Sequence, residues 1–395
     1  MTKLAFFYAT FPRPTETFVR RELRGLQKLG MVPELYSIWK GHKSWEGKPI
    51  HLFPLWNIFT LFFWIPFWAW KKPKAFKLIL SYVWAQPCPN LQNWNETFLG
   101  LACALVQASK IQSRNYSRIH AVWATMPATT VLACHLLTDI PFSFGAHAYD
   151  VFRDRGDWLL PLKLSRACFV RTSSESTAQR LRKLGLENEK LRLIHRSLKP
   201  AVERGSFELV NPSFLTLLSV GRLVEKKGYF LLLQILCEMK RKQIPFQMNI
   251  IGGGPLKNAL EREILRLMLE NYVFLHDHLN ESAIDKFYQT SDAFLFTGVV
   301  CANGDRDGIP NVIPEAMSHG LLVMGSNQAG ASEAFTDRES GYSLDPQQKE
   351  PWVDILHQFY LHPTKFTEMR KLAWSRAQAL FSTEQNCQKL RNLFR

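Results

Sequence analysis

The sequence predicts an α/β fold of two doubly wound, Rossmann-like domains facing a cleft. Short β-branched or aromatic runs alternate with longer helix-period segments throughout its 395 residues, and charge divides unevenly between the two halves. Alternating strands and helices give parallel sheets covered on both faces. The length suits two cores better than one. With 46% hydrophobic and 21% charged residues, the chain is globular in composition, which excludes collagen-like, coiled-coil and wholly disordered classes.

In the first half, strands are expected near 3–8, 34–38, 119–122, 142–145, 168–172 and 192–195. In the second half they are expected near 214–220, 247–251, 272–275, 293–296 and 321–325. A helix over 15–29 carries Val19, Leu23 and Leu26 on one stripe. A polar hinge from Lys199-Pro200-Ala201 to Asn211-Pro212 sets domains of 1–205 and 206–375. Open parallel sheets take ligands beyond the C-terminal ends of their strands, so two facing sheets hold theirs between them.

Residues 1–210 contain 29 Lys+Arg against 14 Asp+Glu, a net +15, whereas 211–395 contain 20 of each, a net 0. Ten of the twelve Trp also lie in 1–210. The basic side chains are dispersed and form no recognised nucleic-acid module, so no nucleic-acid partner is expected. Within the basic half, 52–70 (LFPLWNIFTLFFWIPFWAW) is nearly all apolar and is followed by Lys71, Lys72, Lys74 and Lys77. A spanning helix needs about 20 apolar residues, which this length permits. Pro54, Pro66, Asn57 and the Trp/Phe content fit better with a segment lying in an anionic membrane interface. Ordinary buried helices and a true span are the alternatives. Seven scattered Cys without a CxxC pair, and an N-terminus that turns polar at once, point to reduced thiols and a cytoplasmic location, peripheral to the inner face of a membrane.

Four stretches can carry chemistry. Gly304-Asp305-Arg306-Asp307-Gly308-Ile309-Pro310-Asn311-Val312-Ile313-Pro314-Glu315 runs from an apolar strand into a helix. Backbone N–H groups at such a junction attract an anion. Asp307 and Glu315, one before the helix and one within it, can grip hydroxyls on a phosphorylated ligand; an acidic helix cap would use the same residues. Gly221-Arg222 through Lys227-Gly228 ends another strand, and two cations over one point suit a diphosphate leaving group. A solvated charge run would look similar. The glycines of Ile251-Gly252-Gly253-Gly254-Pro255 let backbone approach a ligand, as Gly221 does. His147, in Phe144-Gly145-Ala146-His147, sits at a strand end where it contacts substrate or serves structure. Asp305-Arg306-Asp307 resembles a metal cluster only superficially, and no HExxH or HxxxH pattern is present, so no metal is expected.

Together and in this order, these stretches resemble the family 4 retaining glycosyltransferases of the GT-B fold. Phe11-Pro12-Arg13-Pro14-Thr15-Glu16-Thr17-Phe18 is similar to the opening of an exopolysaccharide or colanic-acid-type subgroup. His147 falls where the family has its strand-end histidine, and Asp307 to Glu315 match its Glu-x7-Glu signature. The closing helix, 365–395, resembles the family's return to the first domain, here over 376–395.

The resemblance implies a hexosyltransferase whose donor is a nucleotide-diphosphate sugar, with no cofactor and no metal. It places Glu315 on the ribose hydroxyls and Asp307 on the donor sugar. Gly308, Ile309, Pro310 and Asn311 lie near sugar and phosphate, Arg222 and Lys227 on the diphosphate, and His147 beside the reacting sugar. Gly221, Gly252 and Gly254 fall to the nucleotide. The implied acceptor is a polysaccharide or lipid-linked saccharide, and transfer proceeds on the front face with retention. A GT-B phosphorylase and a non-catalytic membrane-bound scaffold are the rival readings. The sequence departs from the family where Asp307 replaces Glu, where Thr297-Gly298 replaces Pro-Ser, and where Val122 replaces the second His of an HAHW-like stretch. These departures bear on sugar and acceptor identity.

Overall fold

Two parallel sheets organise the chain in the computed structural model, which describes residues 3–13, 16–198, 207, 213–328 and 330–395. The first sheet contains β1 (Leu4–Phe11), β2 (Glu34–Gly41), β3 (Ser44–Trp45), β4 (Lys48–Leu52), β5 (Arg118–Ala121), β6 (Phe142–Gly145), β7 (Val170–Thr172) and β8 (Leu191–Leu193). Its order is β3-β4-β2-β1-β5-β6-β7-β8, and only β3–β4 is antiparallel. The second contains β9 (Leu215–Val220), β10 (Phe246–Ile251), β11 (Val273–His276), β12 (Ala293–Phe296), β13 (Leu322–Ser326) and β14 (Tyr342–Leu344). Its order is β11-β10-β9-β12-β13-β14, parallel throughout.

Central strands are continuous apolar runs because both faces are covered: Leu217, Leu218, Phe294 and Leu295 are fully buried. All strands expected from the sequence form, with shifted ends. The β3–β4 hairpin and β14 are additional. The hairpin turns on Glu46-Gly47, both at positive φ, which matches the twist of a two-residue connection.

The chain divides into two compact units, one of Met1–Ser197 and Glu384–Arg395, the other of Leu198–Thr383. The hinge read at 199–212, with its boundary at 205, lies outside the described residues apart from Phe207. Pro14 and Thr15 of the opening motif are also outside. The closing span is not one helix. A 3-10 turn, Pro363–Phe366, precedes helix Thr367–Phe381, and a separate helix, Thr383–Phe394, follows an extended Ser382. The last helix lies in the first unit, where Phe394 packs on Phe6, His120 and Phe169.

The apolar stretch 52–70 breaks into the end of β4, a 3-10 turn Leu55–Thr60 and helix Leu61–Lys71, before helix Pro73–Ala85. Eleven helical residues reach only about 16 Å at 1.5 Å each, about half a bilayer's hydrocarbon core. Among the described residues no helix is long and apolar enough to cross a membrane. Ordinary burial fails as well, since Phe59, Phe62, Trp70 and Trp84 are each at least 80% exposed. Trp68 anchors the segment with Phe53 and Leu61: it is fully buried, and its indole N–H donates to the Leu105 carbonyl at 2.8 Å.

Candidate active site

In the second sheet β9 pairs with β12, while the chain goes from β9 to β10 and β11 on one side and from β12 to β13 and β14 on the other. The two loops beyond this reversal, Gly221–Gly228 and Thr297–Asn311, meet at the C-terminal strand ends, where open parallel sheets take their ligands. Gly228 fixes their spacing. It adopts φ +68°, and a Cβ there would lie 1.9 Å from the Thr297 carbonyl oxygen, so only glycine fits. The Thr297 hydroxyl donates to the Gly228 carbonyl at 2.9 Å, and the Val299 amide to that of Lys226 at 2.9 Å. Thr297 thus locks the turn that carries both lysines.

Lys227 Nζ lies 2.6 Å from Asp307 Oδ2. Lys226, buried, reaches Asp305 Oδ1 at 3.0 Å and Asp307 Oδ1 at 3.5 Å. Burial by itself raises the Asp307 carboxyl, but the Lys227 and Lys226 ammonium groups outweigh it and hold the group below its ordinary range. Arg222 is exposed at the start of the same loop. Gly308, Ile309 and Pro310 are buried and Asn311 half-buried, packed beneath the turn at Gly330, whose amide donates to the Asp307 carbonyl. Glu315 stands half-buried on helix Val312–Ser318 and accepts from the Tyr288 hydroxyl at 3.3 Å. That helix has seven residues, and its Ile313 and Glu315 amides bond to Pro310 and Asn311. Anion attraction here consequently falls to side-chain cations more than to a helix dipole.

Gly252 and Gly254 have a packing reason of their own. A Cβ on Gly252 would lie 2.0 Å from the Gly221 carbonyl oxygen, and one on Gly254 would lie 2.4 Å from that of Leu223. These glycines let the end of β10 lie against the end of β9. Gly253 faces open space instead.

His147 belongs to the first unit, beyond β6, and is 4% exposed. Asp150 shapes its loop by accepting amides of His147 at 3.0 Å, Ala148 at 2.8 Å and Ala124 at 3.1 Å. Burial, reinforced by the charges of Arg196 and Arg171, holds the imidazole well below its ordinary pKa, so the ring is neutral. Trp123 meets the imidazole edge-on at 5.2 Å. The Arg196 guanidinium lies 3.6 Å from the Phe18 ring centroid and 5.1 Å from that of Trp123. Among the described residues no three His, Cys, Asp or Glu are grouped to hold a metal ion.

Residues 207–375 match the model of the glycosyl transferases group 1 family. The chain is 23% identical over 401 aligned residues, covering 90% of each chain, to a putative colanic acid biosynthesis glycosyltransferase, WcaL, of Salmonella typhimurium. This is a glycosyltransferase related to family 4. The amylovoran biosynthesis glycosyltransferase AmsK of Erwinia amylovora is 32% identical over 160 residues, 40% of this chain and 36% of AmsK. A glycosyltransferase from Rickettsia africae superposes with a TM-score of 0.71 at 15% identity, covering 100% of this chain and 98% of the other. Anabaena HepE, solved in complex with UDP, does so at 0.69 and 15%, covering 100% and 99%. These likenesses give the glycosyltransferase its GT-B fold.

Within it, the second unit gathers Gly221, Arg222, Lys227, Asp307–Asn311 and Glu315 around one strand reversal. Sequence reading did not single out Lys226 or Arg196, and it took Thr297 only as a departure from the family. The signal for Lys226 was its place beside Lys227, opposite a DRD triplet. Arg196 had no local signal, since its ring partners are remote in sequence.

Proposed function

We propose that the chain transfers a hexose from a nucleotide-diphosphate sugar to a saccharide or lipid-linked saccharide acceptor at a membrane surface, with retention and without a metal. The carrying observation is the set of cations and carboxylates on two loops flanking the β9/β12 reversal. Arg222, Lys226 and Lys227 supply positive charge for a diphosphate, while Asp307 and Glu315 accept hydroxyl donors from sugar and ribose. A bound diphosphate competes with Asp307 for Lys227, releasing that carboxylate toward the sugar. In the reaction the bond from sugar C1 to the diphosphate oxygen breaks. A bond from C1 to the acceptor oxygen forms on the same face, and the acceptor's proton passes to the departing phosphate. His147, neutral and held by its loop, can offer a hydrogen bond to a ligand but no charge. The WcaL and AmsK names, both polysaccharide biosynthesis enzymes, support the acceptor class.

Membrane contact rests on the Leu55–Ala85 surface. Exposed Phe59, Phe62, Phe63, Trp70 and Trp84 supply interfacial aromatic area, and Lys71, Lys74 and Lys77 are exposed beside them. Lys72 instead pairs with Asp139 at 2.8 Å. Each lysine near an anionic surface contributes about 1 kcal/mol.

Calorimetry with UDP- and GDP-sugars tests the donor site. Lys227→Ala and Glu315→Ala should each cost about 1.5–3 kcal/mol, a loss of roughly 10- to 150-fold in affinity. Unchanged affinity in both variants would refute the site. Binding without any transfer in the presence of membrane glycolipid would favour a scaffold.

A further inference from the structure

Two adjacent lysines in the 3-10 turn Glu225–Lys227 divide their contacts unequally. Lys227 is half-buried, and its ammonium, 5.1 Å from the Phe296 ring centroid, meets Asp307 Oδ2 at 2.6 Å. Lys226 is buried and fastened to the opposite loop at three points. Its carbonyl accepts from the Val299 amide at 2.9 Å, and its ammonium lies 3.0 Å from Asp305 Oδ1 and 3.5 Å from Asp307 Oδ1. Backbone holds Asp305 in turn: its carbonyl accepts from the Cys301 amide at 2.9 Å, and its amide donates to Asn303 Oδ1 at 3.0 Å. Withdrawing Lys226 would strip two half-buried carboxylates of a shared cation, which is costly. Withdrawing Lys227 leaves Asp307 with Lys226. Lys227 is therefore the lysine that can turn to a ligand, and Lys226 the one that stays.

We infer that Lys226 is a positioning residue: when a diphosphate draws Lys227 away from Asp307, Lys226 keeps that carboxylate charged and in place to accept a hydroxyl of the donor sugar. A carboxylate carries lone pairs on both oxygens, so Oδ1 can stay with Lys226 while Oδ2 takes the sugar. Asp307 needs such a partner. Burial raises its carboxyl, and the Lys227 and Lys226 ammonium groups bring it down, Lys227 the more strongly. Once Lys227 turns to an anion, Lys226 is left to oppose burial, and the negative charge of the diphosphate acts in the same direction as burial. The other titratable groups around Asp307 offer no cation. Tyr229, on the helix behind the turn, and Cys301, on the same loop, are both raised first by burial and stay neutral, while Asp305 adds negative charge. The charge of Lys226 still reaches a diphosphate through space, but its nitrogen is engaged, so a nucleotide without a sugar gains little from it. Recognition of the sugar, more than of the nucleotide, thus depends on Lys226. The inference rests on the donor reading of these two loops.

Calorimetry on the full chain with UDP, GDP, UDP-glucose, UDP-galactose and GDP-mannose tests it. Lys226→Met should weaken the tightest-binding nucleotide sugar about tenfold or more, and its parent nucleotide about threefold at most. Lys227→Met should weaken both about tenfold or more. A nucleotide sugar's diphosphate does not titrate between about pH 5.5 and 8, so its affinity for the wild type should be flat there. For Lys226→Met it should fall as pH drops through that range, because Asp307 takes up a proton. If Lys226→Met fails to fold, Lys226→Gln, which keeps a donor and removes the charge, carries the same comparison. Equal loss of nucleotide and nucleotide sugar, or a flat pH profile in the folded variant, would overturn the positioning role and leave the donor site standing. Nucleotide binding without binding of any nucleotide sugar would overturn it too, since Asp307 would then hold no sugar. No binding of any of these compounds by the wild type would overturn the donor reading, and this inference with it.

Discussion

Asp307 carries two ammonium neighbours, and its titration follows from them. Lys227 and Lys226 hold its carboxyl below the ordinary 3.8. A carboxyl lowered on folding stabilises the native state above its unfolded pKa, and that contribution fades as pH falls through the lowered folded value. Asp307→Asn should therefore be destabilised at pH 7, with the deficit shrinking only below about pH 4 as the wild type loses the same contribution. Urea midpoints measured from pH 7 to pH 3 check this, and a constant deficit across the series would deny the pair its electrostatic character. His147 behaves in the opposite sense. Its pKa lies well below 6.5, first through burial and then through Arg196 and Arg171, so protonation favours the unfolded chain as pH drops below 6.5. Its ring resonances should show no titration between pH 8 and 5.5, and a step near 6.5 would mean that the ring is solvated.

At the scale of elements, the strands were legible because a doubly covered parallel strand is a plain apolar run. The β3–β4 hairpin escaped because its strands are two and five residues long and one contains Pro49. The helical segment after β4 shows what hydropathy omits. The same letters, Phe62-Phe63-Trp64-Ile65, describe a buried helix or an exposed one, and only tertiary placement decides. The candidate donor loops were legible in their glycines and charges, but the Lys226–Asp305 pair and the Thr297 lock depend on contacts across 79 and 69 residues of chain. Because Phe59, Phe62, Phe63 and Trp70 are exposed, replacing all four with Ser should leave the fold and thermal midpoint nearly unchanged. The same replacement should abolish flotation with vesicles containing anionic lipid. Equal flotation by wild type and variant would remove this surface as the membrane contact.

The whole molecule is two compact units whose covalent order is interleaved, since Glu384–Arg395 belongs with Met1–Ser197. The first unit is consequently incomplete until Glu384–Arg395 are made. Phe394, 2% exposed, closes its core against Phe6, His120 and Phe169. Truncating a buried Phe to Ala costs about 3–5 kcal/mol, a large part of a domain's stability of about 5–15 kcal/mol. The proposed donor residues Arg222, Lys227, Asp307 and Glu315 all lie in the other unit. Phe394→Ala should therefore split the calorimetric melt, lowering the transition of the first unit and leaving the other near its wild-type position. A nucleotide sugar held at the proposed donor site would bind only the native state of the second unit and should raise that transition alone. If Phe394→Ala lowered both transitions equally, or the nucleotide sugar raised both, the units would unfold as one cooperative body, and the division of charge between +15 and neutral halves would not correspond to separate stabilities.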